Sequence, residues 1–345
     1  MISNQRLVSV VFVALIESIA CGESTIPDGK DEGLSIDTTS ALTEQRQFAG
    51  AWSLARIERR DAEGELLSEP IEDRLGYIIY DAAGYMGVTI MHPDRIPYSE
   101  NEPTADEALA QLGTYMSYFG RFTVNKAEGT VTHHLRGSLN PNGSGSDYKR
   151  FYSFTEGSMT LQPPPREDGS KTFLTWKRLT DLPMSELTDT HRKLFGAYRV
   201  ESVSRHTRDG YALPADQYEA AYLLYAPSGH MSVYLMRASH EPYSGDRPTA
   251  EEALVVAKTY DSYFGAFSVR EILGCITCPG PRDQGYFIHH RVGSVNPGGS
   301  GADVRSHYEL TDSHLTLRPP LRTDNEGRQV QSVLRWMRLS PASAH

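Results

Sequence analysis

Between residues 50 and 180 apolar and polar residues alternate over short runs that end in turn signals. GYIIYDAAGYMGVTIM (76–91) is a clear instance, with β-branched and aromatic residues on both sides of an Ala-Ala-Gly turn. That is the pattern of a hairpin with one buried face. The alternation predicts strands near 50–59, 65–69, 74–81, 85–92, 120–126, 129–137, 148–155 and 158–163, with 172–179 closing the sheet. Such spacing suits a meander rolled into a barrel. One segment departs from it. In PTADEALAQLGTYMSYFG (103–120), Thr104 has an N-cap side chain and Glu107 follows three residues on. Ala108, Leu109, Leu112, Tyr115 and Met116 then recur at helical spacing. A helix is expected inside 103–120, with Gly120 as its left-handed cap.

The whole pattern is written twice. GAWSLARIERRDAEG (50–64) answers GAYRVESVSRHTRDG (196–210), PYSENEPTADEAL (97–109) answers PYSGDRPTAEEAL (242–254), and SYFGRFTV (117–124) answers SYFGAFSV (262–269). The helix has its counterpart at 248–263, capped by Gly265. HHLRGSLNPNGSG (133–145) returns as HHRVGSVNPGGSG (289–301), and LTWKRL (174–179) as LRWMRL (334–339). Two copies of this size are tandem domains and not a solenoid. The division expected is a leader over 1–20, a flexible tether over 21–42, a first barrel over 43–180, a linker over 181–193 and a second barrel over 194–341.

Composition narrows the partners. The chain has 345 residues, with 34 Lys and Arg against 44 Asp and Glu, a net charge of -10. It has no basic block to drive counterion release, so no nucleic acid partner is expected. At the N-terminus LVSVVFVALI (7–16) is an apolar run too short to span a bilayer as a helix but suited to an export signal. ESIAC then places small residues before Cys21, which resembles a degenerate bacterial lipobox. Export to the bacterial cell envelope is expected, with the membrane reached through a lipid on Cys21; the alternative is cleavage after Ala20 and secretion.

Gly50 and Trp52 on the first strand, with Arg178 on the last, resemble the lipocalin/calycin signature. The second copy offers Gly196, Tyr198 and Arg338. In that superfamily a guanidinium stacks on a floor indole. Gly permits the close approach, and the cation–π contact is worth ~1 kcal/mol. More narrowly, SYFG, TVTHHLRGSLNPNGSG, LTLQPP and LTWKRL resemble a bacterial and fungal lipocalin-like domain family. The resemblance implies an all-β fold: two tandem antiparallel lipocalin-like β-barrels, each with one inserted α-helix. It also implies a cavity for a small hydrophobic or amphipathic ligand.

The repeated polar and aromatic positions are the candidate ligand contacts: His133, His134, His289, His290, Tyr80, Tyr225, Tyr115 and Tyr260. Neighbours on a strand face opposite ways, so one histidine of each doublet points inward. Val131 and Leu135 share a face with His133, favouring His133 in the first copy. Ile288 and Val292 share a face with His290, favouring His290 in the second. No metal is expected, because three or four converging ligands are needed and neither an HxH nor an HExxH spacing occurs. No cofactor or catalytic residue is assigned. The glycine-rich turn after each doublet lacks the Lys and downstream helix of a phosphate loop. Cys275 and Cys278 occur only in the second copy, before Pro279-Gly280-Pro281, and are expected to form a local disulfide. Three functions stay open: a ligand-binding barrel protein; a cavity-type isomerase or cyclase using His and Tyr on a lipid-, polyketide- or terpenoid-like substrate; and a rigid scaffold with a filled interior.

Overall fold

A computed structural model describes residues 44–271 and 284–340. Cys21, Cys275 and Cys278, and with them the leader, lipidation and disulfide expectations, lie outside the described residues. The first unit has strands β1 (Gly50–Arg60), β2 (Leu75–Tyr80), β3 (Tyr85–Met91), β4 (Tyr115–Asn125), β5 (Thr130–Ser138), β6 (Asp147–Thr155), β7 (Ser158–Gln162) and β8 (Lys171–Arg178). They run antiparallel in sequence order, and β8 returns to β1 to close the barrel. Closure removes the edges that an open sheet would leave unpaired.

The second unit contains β9 (Gly196–Thr207), β10 (Ala212–Leu213), β11 (Tyr218–Tyr225), β12 (His230–Arg237), β13 (Tyr260–Glu271), β14 (Gln284–Ser294), β15 (Asp303–Leu310), β16 (His314–Arg318), β17 (Arg322–Thr323) and β18 (Gln329–Arg338). Pairing of β18 with β9 closes it, and the two-residue strands β10 and β17 are flaps on that eight-stranded wall.

A short helix enters each barrel: α1 (44–48) before β1 and α3 (Asp189–Leu194) before β9. Phe48 and Leu194, at the ends of these helices, are fully buried in the respective barrel cores. The inserted helices are α2 (Ala105–Leu112) and α4 (Ala250–Thr259). Thr104 and Thr249 cap them, each in a reciprocal box with Glu107 or Glu252.

Three expectations need correction. The helix stops at Leu112, and Tyr115 already belongs to β4, where adjacent apolar residues serve two buried faces: Tyr115 and Phe119 outside the barrel, Met116 and Tyr118 inside it. Gly120 and Gly265 are therefore not helix caps. Each sits at a β-bulge between β4 and β5 or β13 and β14, where a Cβ would run into the carbonyl oxygen of His134 or His290. Finally, 65–69 is no strand; within it Leu66 alone makes a single bridge, to Arg60, and a second bridge just beyond joins Ile57 to Ile71.

The floor of each barrel follows one plan. Trp52 Nε1 donates to Phe48 O at 2.8 Å, and the Arg178 guanidinium lies 5.3 Å from the indole centroid. Tyr198 OH donates to Leu194 O at 2.8 Å, with Arg338 4.8 Å over the ring. The smaller ring thus reproduces the hydrogen bond of the larger. Gly50 and Gly196 hold φ of 130° and 137°, and a Cβ at either would press on the arginine.

Candidate functional site

Along β5 the inward side chains are Val131, His133 and Leu135, all buried, while His134 faces solvent. His133 lies between two tyrosines whose rings are tilted to its own by 57° and 43°. Tyr80 OH is 2.7 Å from Nε2 and Tyr118 OH is 3.0 Å from Nδ1. The second barrel repeats the group: Tyr225 OH is 2.7 Å from His289 Nε2 and Tyr263 OH 2.9 Å from Nδ1. His289 is thus the inward member of its doublet, which corrects the expectation that His290 would be. The apolar pattern misleads there because Ile288 and Val292 decorate the outer wall, while the inner face of β14 reads Phe287, His289. The outward histidines are tied down locally. His134 sits between Thr123 Oγ1 (2.9 Å) and Asp147 Oδ1 (2.8 Å), and His290 between Ser268 Oγ (2.8 Å) and Asp303 Oδ1 (2.9 Å).

Tyr115 and Tyr260 do not belong with these groups. They point out of their barrels into the seam between the two units, bonded to Ser262 and Ser117.

Burial dictates the protonation states. It lowers His133 well below its ordinary value and takes His289 to about 3, so both imidazoles are neutral. It raises Tyr80 and Tyr225 well above the usual phenol range, and Tyr118 in the same direction. A neutral imidazole has one N–H and one lone pair. One tyrosine therefore donates to the ring and the other accepts from it, which leaves the second tyrosine's own hydrogen unused by the pair.

Further donors face the interior of the first barrel. Arg150, inward on β6, stacks at 5.2 Å over Tyr148 and lies near enough to Tyr118 to oppose the rise in its pKa. Trp176 Nε1, inward on β8, is buried and has no acceptor, as is Trp336 Nε1 in the second barrel. In the second barrel the guanidinium comes from another strand: Arg291 on β14 lies 5.6 Å over Tyr263, while Ser306 takes the position of Arg150. Neither arginine is marked by the repeat, because the two do not match between the copies. Side-chain parity on β6, where Tyr148, Arg150, Tyr152 and Phe154 share a face, is the signal that finds Arg150.

Aromatic side chains fill the rest of barrel 1. Phe48 meets Tyr80, Phe122, Tyr152 and Phe154 edge-on or tilted, with centroids 5.0–6.0 Å apart. At the opposite end Leu135, Tyr118 and Tyr148 keep 5–9% of their surface. There the turn Pro141–Gly143 folds over the mouth, and a Cβ on Gly143 would lie 2.6 Å from Tyr148 OH. Among the described residues no three His, Cys, Asp or Glu side chains converge as a metal site, and no helix is long and apolar enough to cross a membrane.

Two closed antiparallel barrels, each with a stacked cation at its floor, define a lipocalin-like architecture. The chain belongs to the lipocalin-like domain family, whose model matches residues 49–179 and again 195–339. No curated protein matches it. Among solved structures, an uncharacterised protein of Saccharomyces cerevisiae is 11% identical with a TM-score of 0.35, covering 85% of this chain and 99% of its own. A putative outer membrane protein of Bacteroides fragilis is 10% identical with a TM-score of 0.24, covering 86% and 99%. Transferrin binding protein B of Neisseria meningitidis is 8% identical with a TM-score of 0.18, covering 84% and 76%. Likenesses this distant carry no functional weight.

Proposed function

We propose that this is an exported, envelope-anchored binding protein whose barrels hold a small amphipathic molecule by an oxygen-bearing head. The observation that carries the reading is the donor excess inside the two barrels that enclose His133 and His289. In barrel 1 a spare tyrosine hydrogen and the Trp176 N–H face inward, beside the half-buried Arg150 guanidinium, whose Nη1 also donates to Lys149 O at 2.9 Å, and no carboxylate joins the hydrogen-bonded group. Buried donors without acceptors are costly, and a ligand carbonyl or carboxylate satisfies them. The apolar part of such a ligand would lie against Leu135 and the rings of Tyr118 and Tyr148. Export and anchoring are supported by the apolar run at 7–16 and the small residues before Cys21.

Acid–base catalysis is the weaker alternative. Burial keeps the histidines neutral and the tyrosines un-ionised, the opposite of poised groups. The test is native mass spectrometry of the purified chain, with titration of a fluorescent fatty acid and of its uncharged alcohol. Binding of the acid, weakened at least tenfold by Arg150→Leu together with Arg291→Leu, is expected. No co-purifying molecule and no uptake of either probe would refute the proposal.

A further inference from the structure

The outer walls of the two barrels meet along a seam that obeys a twofold relation between the repeats. Tyr115 OH lies 3.0 Å from Ser262 Oγ, and the equivalent Tyr260 OH lies 2.9 Å from Ser117 Oγ. Phe119 meets Tyr222 at 5.0 Å, and its equivalent Phe264 meets Tyr77 at 5.0 Å. Tyr85 stands edge-on to Tyr222 at 5.7 Å, and His230 to Tyr77 at 5.2 Å. Arg95 donates to the carbonyls of Ser294 and Val295 across the seam, and His240, at the matching position, contacts Ser138 O at 2.9 Å. Ile79, Met91, Phe119 and Leu139 from the first barrel are buried there with Leu224, Met236, Phe264 and Val295 from the second. Residue i of one repeat touches j of the other while j touches i, the signature of an isologous contact.

At one place the relation is broken. Tyr234 of β12 is stacked on Phe119, with centroids 5.3 Å apart and planes 23° apart, and fits over Gly87 of β3. A Cβ on Gly87 would come within 2.6 Å of Tyr234 Cζ and OH. The matching positions are Thr89 for Tyr234 and Ser232 for Gly87. Two copies of the second barrel would therefore set Tyr234 against Ser232, whose Cβ occupies the space the ring needs. Two copies of the first would set Thr89 against Gly87 and leave a void.

We infer that the seam is a selective binding surface: each barrel carries a face whose partner is the other repeat and not its own kind, with Tyr234 over Gly87 as the discriminating contact. The partner chemistry is an aromatic-rich β-barrel wall bearing serine hydroxyls opposite the two seam tyrosines.

The test uses the full chain with a site-specific protease sequence inserted after Met184, which is exposed in the turn between the barrels. After cleavage, size-exclusion chromatography and native mass spectrometry are expected to show one species holding one copy of each half. Gly87→Ala in the cleaved protein is expected to weaken the pairing about tenfold to a hundredfold. Adding Tyr234→Ala to it should restore much of the loss, and circular dichroism checks that the separated halves keep their β structure. Separation of the unsubstituted halves at micromolar concentration, appearance of like-with-like pairs, or a Gly87→Ala protein that pairs as before would each overturn the inference.

Discussion

The buried histidines make an acid-sensitivity prediction that can be worked in detail. His289 is fully enclosed and its pKa is lowered from 6.5 to about 3 by burial. In the unfolded chain it titrates near its ordinary value, so below that pH the unfolded state binds a proton the folded state refuses. Stability contributed in this way is complete above pH 6.5 and is lost as pH falls toward 3. Each pH unit in that interval removes about 1.4 kcal/mol, so the step from pH 7.5 to 4.5 removes about 2.5 kcal/mol for this one residue. That is a large part of the 5–15 kcal/mol typical of a domain, so it shows readily in a urea midpoint. His133, lowered by the same burial, acts with the same sign. Carboxylates whose pKa the fold depresses, such as Glu107 at about 2, lose their contribution mainly below pH 4.5, outside this window.

The assay is urea denaturation at half-unit steps between pH 7.5 and 4.5 for the unsubstituted chain and for His289→Gln. Glutamine keeps one donor and one acceptor but does not titrate. The variant should be less stable at pH 7.5 by roughly 1 kcal/mol for imperfect hydrogen bonds. Its stability should then fall less steeply, by close to one proton's worth of slope. Identical slopes in the two proteins would mean that His289 takes up no extra proton on unfolding, since the remaining histidines are common to both.

Three further outcomes are expected. Gly120→Ala, and separately Gly265→Ala, should each cost about 3 kcal/mol or more, read as a fall in Tm, because a Cβ cannot pass the facing carbonyl without opening the bulge. Trp52→Phe should cost more than Trp176→Phe by about 1–2 kcal/mol in urea titrations, since only the first leaves a carbonyl, that of Phe48, without its donor. Arg178→Ala should destabilise the chain by about 1 kcal/mol and shift Trp52 fluorescence, while Arg178→Lys keeps the charge and recovers part of the loss.

Most of the wall was legible because strand alternation and the repeat reinforce one another. GYIIYDAAGYMGVTIM reads as a hairpin and folds as β2 and β3. The helix start was legible for a local reason, the Thr104 and Glu107 box. Its end was not, because Tyr115 and Met116 continue the helical spacing, whereas in β4 they serve two opposite buried faces. The site was half legible. His133, Tyr80 and Tyr225 stand where repetition pointed, but the same criterion swept in Tyr115 and Tyr260, whose repetition serves the seam. A strand with a partner domain on its outer face has two buried sides, so apolar parity no longer marks the interior. His290 looked inward for another reason: Ile288 and Val292 are apolar residues on the solvent-exposed outer wall. Arg150 and Arg291 escaped for the converse reason, occupying different strands in the two copies.

The seam also bears on how the halves can change. In a dimer of identical chains every substitution at the axis arrives twice, so a bulky ring and the gap that receives it cannot appear separately. A single chain lifts that constraint. Tyr234 can grow where its counterpart Thr89 stays small, and His240 can take the place that Arg95 fills in the other half. Covalent joining thus gives each barrel its own mutational future, and the two interiors already differ, one with its guanidinium on β6 and the other on β14.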